Sequence, residues 1–417
     1  MSKRSIYMLS NKNLSVIIQN MNKLSLNFKY TALQILYWAE ASIVFVYVGF
    51  YLQAAGMSNG SVGVTIAFAN ILSFALSNAF AELIDRKNKL TSFTASVFLL
   101  GLKILLSCSL AVLKDRNALP VAILYMFLIV FNLMSSIVYN KLYVDIEKSG
   151  NTVNFSRARG MGSLSFALAS AILGALTLKF TVFVIPYLCA GVCLLQLAVL
   201  FITGNIRDTV SDEAYGTQDR SKGLAAFLRD DPGLCLLALG IAFIFAANNT
   251  VNNFYYVVIE NAGGNSASIG YVNFVLAALE LVVMLIYGRM KNRKYPLLLA
   301  VSLMFFPLKF AALAMSKTVT AIYFANILHA LSFGLYTPVV VDFIRKTVTY
   351  SDSGKGQSVV GSAASLGTFV STLAFGYMFD TYSPKTCLLV LALIAALGVP
   401  FGIAGIKRMS GKEPEQY

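Results

Sequence analysis

The sequence predicts an all-α integral membrane protein of twelve transmembrane helices, arranged as two pseudo-symmetric six-helix bundles. Three observations carry that expectation. The 417 residues are 57% hydrophobic and only 12% charged, against roughly 25% charged residues in a soluble domain. Twelve apolar segments each reach the length of about 20 residues that a helix needs to cross a hydrocarbon core of about 30 Å. The basic residues are also sorted: of 33 Lys and Arg, 26 lie at the chain ends and in the connections after even-numbered spans, five in the other connections and two inside spans. One missed or invented helix would invert every later loop, so this asymmetry supports both the even number and cytoplasmic termini.

Taken in order, the segments run 29–54, 60–83, 91–113, 118–142, 158–178, 181–203, 232–258, 267–288, 296–315, 319–342, 357–379 and 385–406, numbered here as spans 1 to 12. Residues 1–28 are polar and basic and lead straight into span 1 with no small-residue cleavage site, so they read as a cytosolic tail rather than a signal peptide. The longest polar interruption, 204–231, divides the chain into bundles 29–203 and 232–406, and 407–417 forms a second cytosolic tail. Parallel repeats of this kind are how one class of secondary transporter is built, with the solute site near the midplane between the halves. The net charge of +14 sits in short clusters between spans and forms no continuous patch, which argues against nucleic acid and for topology determinants. Five cysteines lie inside apolar segments without metal-ligand spacing, so no metal site is expected and they read as small packing residues.

The first turns of span 5, Asn154-Phe-Ser-Arg-Ala-Arg-Gly-Met-Gly-Ser-Leu-Ser-Phe166, place two arginines at the mouth of a helix rich in Gly, Ala and Ser. Small residues let a neighbouring helix approach closely, and Arg159, about one turn inside, needs a partner or a polar ligand. Arg157 reads as a headgroup anchor.

After span 2 comes Ala81-Glu-Leu-Ile-Asp-Arg-Lys-Asn-Lys89, and at the corresponding place after span 8 comes Gly288-Arg-Met-Lys-Asn-Arg-Lys294. The first of these resembles the short loop motif of the major facilitator superfamily, Gly-x-x-x-Asp-Arg-x-Gly-Arg, with Asp85 and Arg86 matching, Lys89 a conservative stand-in, and Ala81 and Asn88 in place of the glycines. Phe155-Ser-Arg-Ala-Arg-Gly after Ile146-Glu-Lys, the Leu328-His pair in span 10, and Gly376-Tyr-Met-Phe-Asp380 in span 11 are similar to the oligosaccharide and nucleoside proton symporters of that superfamily, the lactose permease type. The resemblance implies that Asp85, Arg86 and Lys89 form a conformational-switch loop. It implies further that Arg159 holds solute hydroxyls with its bidentate fork, and that Phe166, seven positions on and so on the same face, stacks beneath a ring. Two positions depart from the pattern: Tyr143 and Ser332 stand where the lactose permease type has glutamates. Lactose itself is therefore not the expected solute.

With those carboxylates missing, the proton site has to be sought among the other ionisable residues inside spans. Glu40, Lys103, Glu280, Lys309 and His329 lie deepest in apolar sequence, where a charge costs about 3 kcal/mol or more and signals function by default. Glu280 is the first candidate for proton coupling, with Lys309 or His329 as its partner; a static ion pair with Lys309 is the alternative. His329, the only histidine, is a candidate for solute binding as well as coupling, or else a hydrogen-bonded packing residue. Glu40 beside Trp38, the only tryptophan, reads either as a binding-site pair or, equally, as a case where Trp38 packs against lipid or span 5. In span 7, Asn249, Asn252, Asn253 and Tyr256 follow helical spacing and predict one polar stripe facing ligand, water or another helix. Lys103 is expected to snorkel or to pair with Glu40 or Glu82, and Asp342 with Arg345 to form a local pair.

Nothing matches a phosphate-binding Gly-x-x-x-x-Gly-Lys-Ser/Thr loop, and one histidine with scattered cysteines offers no catalytic constellation, so neither ATP hydrolysis nor an intramembrane enzyme is expected. The sequence thus predicts a proton-coupled importer of a sugar or nucleoside, driven by the proton gradient without a bound cofactor. It is expected to work as a monomer in the plasma membrane, with solute, protons and the lipid bilayer as its partners. A drug/proton antiporter is the runner-up, disfavoured because span 5 lacks a proline between Gly162 and Gly174. A transporter-like sensor is the third, lacking an appended cytosolic domain.

Overall fold

The computed structural model describes residues 25–86, 91–113, 118–204, 228–229, 231–290, 293–348 and 352–411, side chains at 78–79 and 81–86 excepted. Eleven helices are long and apolar enough to cross a membrane, and a bent pair, Leu26–Phe45 with Val48–Ala54, supplies the twelfth span. The others are Asn59–Arg86, Ser92–Leu113, Ala118–Lys148, Phe155–Phe180, Val182–Thr203, Pro232–Asn253, Ser266–Arg289, Tyr295–Met315, Val319–Thr347, Ser353–Thr381 and Pro384–Ser410. Among the described residues there is no strand.

Helix starts follow local chemistry. Asn154 accepts the Arg157 N–H at the start of span 5, Asp231 accepts the Leu234 N–H ahead of Pro232 in span 7, and Asn265 with Ser268 forms a capping box at span 8. Span 1 bends by 43° at Val46–Tyr47, inside a run where Val44, Val46 and Val48 crowd the preceding turns of the helix. Span 7 breaks at Phe254 and resumes as Tyr255–Asn261. Both breaks lie near the end of the bundle opposite the chain termini, called here the far end.

The helix pairings repeat. Span 1 packs on spans 5 and 6, span 3 on spans 4 and 6, and span 2 on span 4; each pairing recurs six spans later, as 7 on 11 and 12, 9 on 10 and 12, and 8 on 10. The two halves meet along two seams, span 2 against span 11 and span 5 against span 8. At the far end both seams are closed to backbone distance. A Cβ on Gly63 would lie 2.6 Å from the Thr372 carbonyl oxygen, and one on Gly270 would overlap the Ser170 carbonyl. Tyr47 reaches across the second seam to donate to the Ser266 carbonyl at 2.9 Å.

Candidate functional site

In the second half, four spans contribute to one hydrogen-bonded chain. His329 Nε2 lies 2.8 Å from Glu280 Oε1, and its Nδ1 lies 3.0 Å from Lys309 Nζ, which also donates to Asn248 Oδ1 at 3.4 Å. An ammonium has no lone pair, so with Lys309 charged Nδ1 accepts and the Nε2 proton is donated to the carboxylate. The helix does not continue regularly past His329: Ala330–Gly334 form a π turn, a feature found preferentially at functional sites, and the Phe333 ring stacks on the imidazole with centroids 5.4 Å apart. The chain is graded in exposure. The Glu280 side chain is 28% exposed, whereas His329 and Lys309 are buried. The carboxylate end is thus the accessible end and the ammonium end the enclosed one. Glu280 pairs with the histidine and not directly with the lysine.

In the first half, the Arg159 guanidinium lies over Trp38, with Cζ 3.7 Å from the ring centroid, and donates from Nη1 to Ser163 Oγ at 2.8 Å. Phe166 meets the same indole edge-on at 6.4 Å, and Trp38 Nε1 donates to Gln34 Oε1 at 3.1 Å. Gly162 is what allows this assembly, since a side chain there would overlap the indole. Arg159 on span 5 and Glu280 on span 8 belong to the two helices that pack along one seam between the halves. Of the residues expected from sequence, Arg159, Trp38, Phe166, Glu280, His329 and Lys309 are thus brought into two groups, one in each half.

Glu40 is not among them. It is fully buried, with Lys103 Nζ at 2.8 Å, Asn132 Nδ2 at 2.9 Å and Gln196 Nε2 at 2.6 Å. Trp38 stands on a different face of span 1, because two residues on a helix are about 200° apart. The pair Lys103 and Glu40, on spans 3 and 1, corresponds six spans later to Lys309 and Asn248, on spans 9 and 7. The first lysine is neutralised on the spot; the second meets a carboxamide, an imidazole and the Phe310 ring and, among the described residues, no carboxylate. Glu40, Cys189 and Cys193 hold possible metal-ligating atoms within 4.8 Å of one another, but both Glu40 oxygens are already engaged by the ion pair and the carboxamides.

The span 7 stripe divides. Asn249 and Asn253 donate to Thr368 at 2.9 Å and Thr372 at 3.1 Å on span 11, and Asn252 is exposed. Tyr256 lies beyond the helix break and donates to Asn59 Oδ1 across the halves at 2.6 Å, so it belongs to the far-end closure and not to a continuous stripe. Asp342 takes Tyr287 at 2.7 Å and Arg293 at 3.1 Å instead of Arg345, because the guanidinium after span 8 reaches it from a neighbouring helix end. Asp85 and Arg86 end the span 2 helix; their side chains, and Lys89 altogether, lie outside the described residues, as does most of 204–231. Sequence reasoning missed Gln34 and Gln196, although each is a long polar side chain in an apolar span, and it missed a cavity of about 290 Å³ between spans 2, 4, 7 and 11.

A family model described as the MFS_1 like family matches residues 27–396. No curated protein matches the sequence. Among solved structures, a point mutant of the nucleoside transporter NupG superposes with a TM-score of 0.77 at 14% identity, covering 91% of this chain and 100% of that one. A second NupG structure gives 0.74 at 13%, covering 94% and 100%. A bacterial homolog of the human lysosomal transporter Spinster, inward-facing and unoccupied, gives 0.69 at 12%, covering 94% and 98%. At these identities the likeness is one of fold. The family and these neighbours are membrane transporters, not enzymes.

Proposed function

We propose, from the premise that this chain belongs to the MFS_1 like family, that it is a proton-coupled symporter importing a small, polar, hydroxylated solute of the sugar or nucleoside class. The observation that carries the reading is the Glu280–His329–Lys309 chain, with its carboxylate end on the helix that packs against the Arg159 span and its ammonium end buried. A proton taken up by Glu280 removes the anion that balances Arg159 and Lys309, so protonation and the charge state of the cavity change together. Arg159 then has its fork free for solute oxygens, with Trp38 and Phe166 as the apolar floor. The nucleoside class gains support from the NupG neighbours and from the abundance of neutral donors and acceptors inside the spans.

With the termini cytoplasmic, as the charge distribution indicates, the far end is the outer one and the closed seams leave access from inside. The protein then acts as a monomer in the plasma membrane, alternating between this arrangement and one open outward. The test is uptake of labelled nucleosides and sugars into proteoliposomes with and without an imposed inward proton gradient. Gradient-driven accumulation of at least one of them supports the reading; uptake indifferent to the gradient, or none at all, ends it.

A further inference from the structure

The cavity between spans 2, 4, 7 and 11 lies on the seam opposite the one formed by spans 5 and 8, so it stands across the bundle from Arg159 and Glu280. Its polar lining is Asn70, Ser73, Ser77, Asn249, Ser365 and Thr368, and no ionisable residue is among the residues that line it. An uncharged wall cannot compensate the desolvation of an ion, so this surface suits a neutral group.

Two of the hydroxyls are unusual. A serine or threonine in a helix ordinarily bonds back to a carbonyl one turn earlier, as Ser365 does to Gly361 at 3.0 Å and Thr368 to Ala364 at 2.7 Å on the facing wall. Ser73 and Ser77 sit one turn apart on span 2, 4% and 8% exposed, and among the described residues neither hydroxyl has a hydrogen-bond partner. Neither hydroxyl oxygen is sealed off, so each opens onto the cavity it lines and takes its partner from there. Asn70 spends its Nδ2 on the Ile66 carbonyl at 2.9 Å, which leaves its Oδ1 as an acceptor nearby on the same helix. Two donor–acceptor hydroxyls and one acceptor are the complement of neighbouring hydroxyl groups, each of which both donates and accepts.

The wall is also wired to the charged chain. Thr368 accepts from Asn249 at 2.9 Å, Asn249 accepts from Asn248 at 3.2 Å, and Asn248 accepts from Lys309. A group bound against Thr368 and Asn249 therefore competes for the carboxamide of Asn249, which is hydrogen-bonded to the Asn248 carboxamide that accepts from the buried ammonium.

We infer that this cavity is a binding subsite for the uncharged, vicinally hydroxylated part of the solute, and that Ser73 and Ser77 read its hydroxyls. Its volume of about 290 Å³, just under the range of roughly 300–1,000 Å³ usual for ligand pockets, admits a group the size of a pentose or hexose ring. The inference rests on the proposed transport of a hydroxylated solute.

The experiment compares uptake of labelled uridine, glucose and xylose by the full-length protein in proteoliposomes, with dideoxyuridine as the probe lacking vicinal hydroxyls. In the S73A/S77A double variant, KM for whichever hydroxylated probe is transported rises about thirtyfold, the sum of two hydrogen bonds of ordinary net strength. Dideoxyuridine handling and the ratio of uptake with and without the proton gradient stay as in the unmodified protein. Ser73→Thr with Ser77→Thr, which keeps both hydroxyls, restores KM. Uptake of a hydroxylated probe with KM unmoved by the double alanine variant overturns the subsite alone. Absence of uptake for every hydroxylated probe overturns the transport reading and the subsite with it.

Discussion

The carboxylate of Asp380, in the last turn of span 11, accepts the backbone N–H groups of Asn59 and Gly60 at 2.8 and 2.7 Å, so one half of the protein caps a helix belonging to the other. The first N–H groups of a helix have no partner within it and carry the positive end of its dipole, which makes an anion the best cap. The related helix of the second half, span 8, uses its own Asn265 for the same purpose. The closure is thus asymmetric: at the span 2 seam, opening the far end removes a helix cap, while at the span 5 seam it breaks the Tyr47 bond to the Ser266 carbonyl.

Asp380→Asn weakens the cap by about 1 kcal/mol while keeping its shape, enough to shift a two-state equilibrium roughly fivefold toward the state open at the far end. Cysteines introduced at Ser61 and Tyr377 report this as faster labelling by a membrane-impermeant thiol reagent from outside. Labelling rates equal to those in the Asp380 background would show that the cap does not hold the gate.

Glu280→Gln leaves a hydrogen-bonding group beside His329 but removes the carboxylate proposed to carry the proton. Gradient-driven accumulation is expected to fall to the level without a gradient, whereas solute exchange down no gradient persists, because exchange needs alternation without net proton movement. His329→Gln interrupts the link to Lys309 and is expected to reduce both accumulation and its pH dependence. Two uptake assays, with and without internal unlabelled solute, separate these outcomes.

Glu40 and Lys103 make a different test, since both are fully buried. Removing one member of a buried ion pair strands the other charge and costs about 3–5 kcal/mol, whereas removing both for apolar residues of similar size is far milder. Glu40→Leu alone is therefore expected to lower the unfolding temperature sharply in detergent, and Glu40→Leu with Lys103→Met to recover most of it. Additive losses in a double-mutant cycle would contradict the buried-pair assignment.

Much of this fold could be read from the chain because the bilayer imposes one rule: apolar length and basic flanks locate every span, and the alternation of the basic loops fixes the count. The bend at Val46–Tyr47 and the break at Phe254 were less visible, since the apolar run continues through both. For the site, an ionisable residue in an apolar helix announces itself, as Glu280, Lys309 and His329 did. It does not announce which way it faces. Glu40 carries the same signal as Glu280, and only the position of Lys103, Asn132 and Gln196 around it shows that it is spent on packing. Ser73 and Ser77 were illegible for the opposite reason: a serine in a helix usually satisfies itself, and only the fold shows that, among the described residues, these two do not.

Arg159 and Trp38 supply the last test, because the proposed solute ligand also covers the indole, at 3.7 Å from its centroid. Arg159→Lys keeps the charge on span 5 but loses the planar fork that stacks on the ring and bonds two oxygens at once. Solute affinity is expected to fall about tenfold or more, with the proton dependence of uptake retained, since the Glu280–His329 pair is untouched. Gly162→Ala perturbs the same place from beneath: the added methyl overlaps the indole and must tilt it away from the guanidinium. Its effect should follow Arg159→Lys in affinity and add a change in tryptophan fluorescence, a clean signal because Trp38 is the only tryptophan. Unchanged solute affinity in both variants would place recognition elsewhere in the cavity and leave Arg159 as an anchor for the start of span 5.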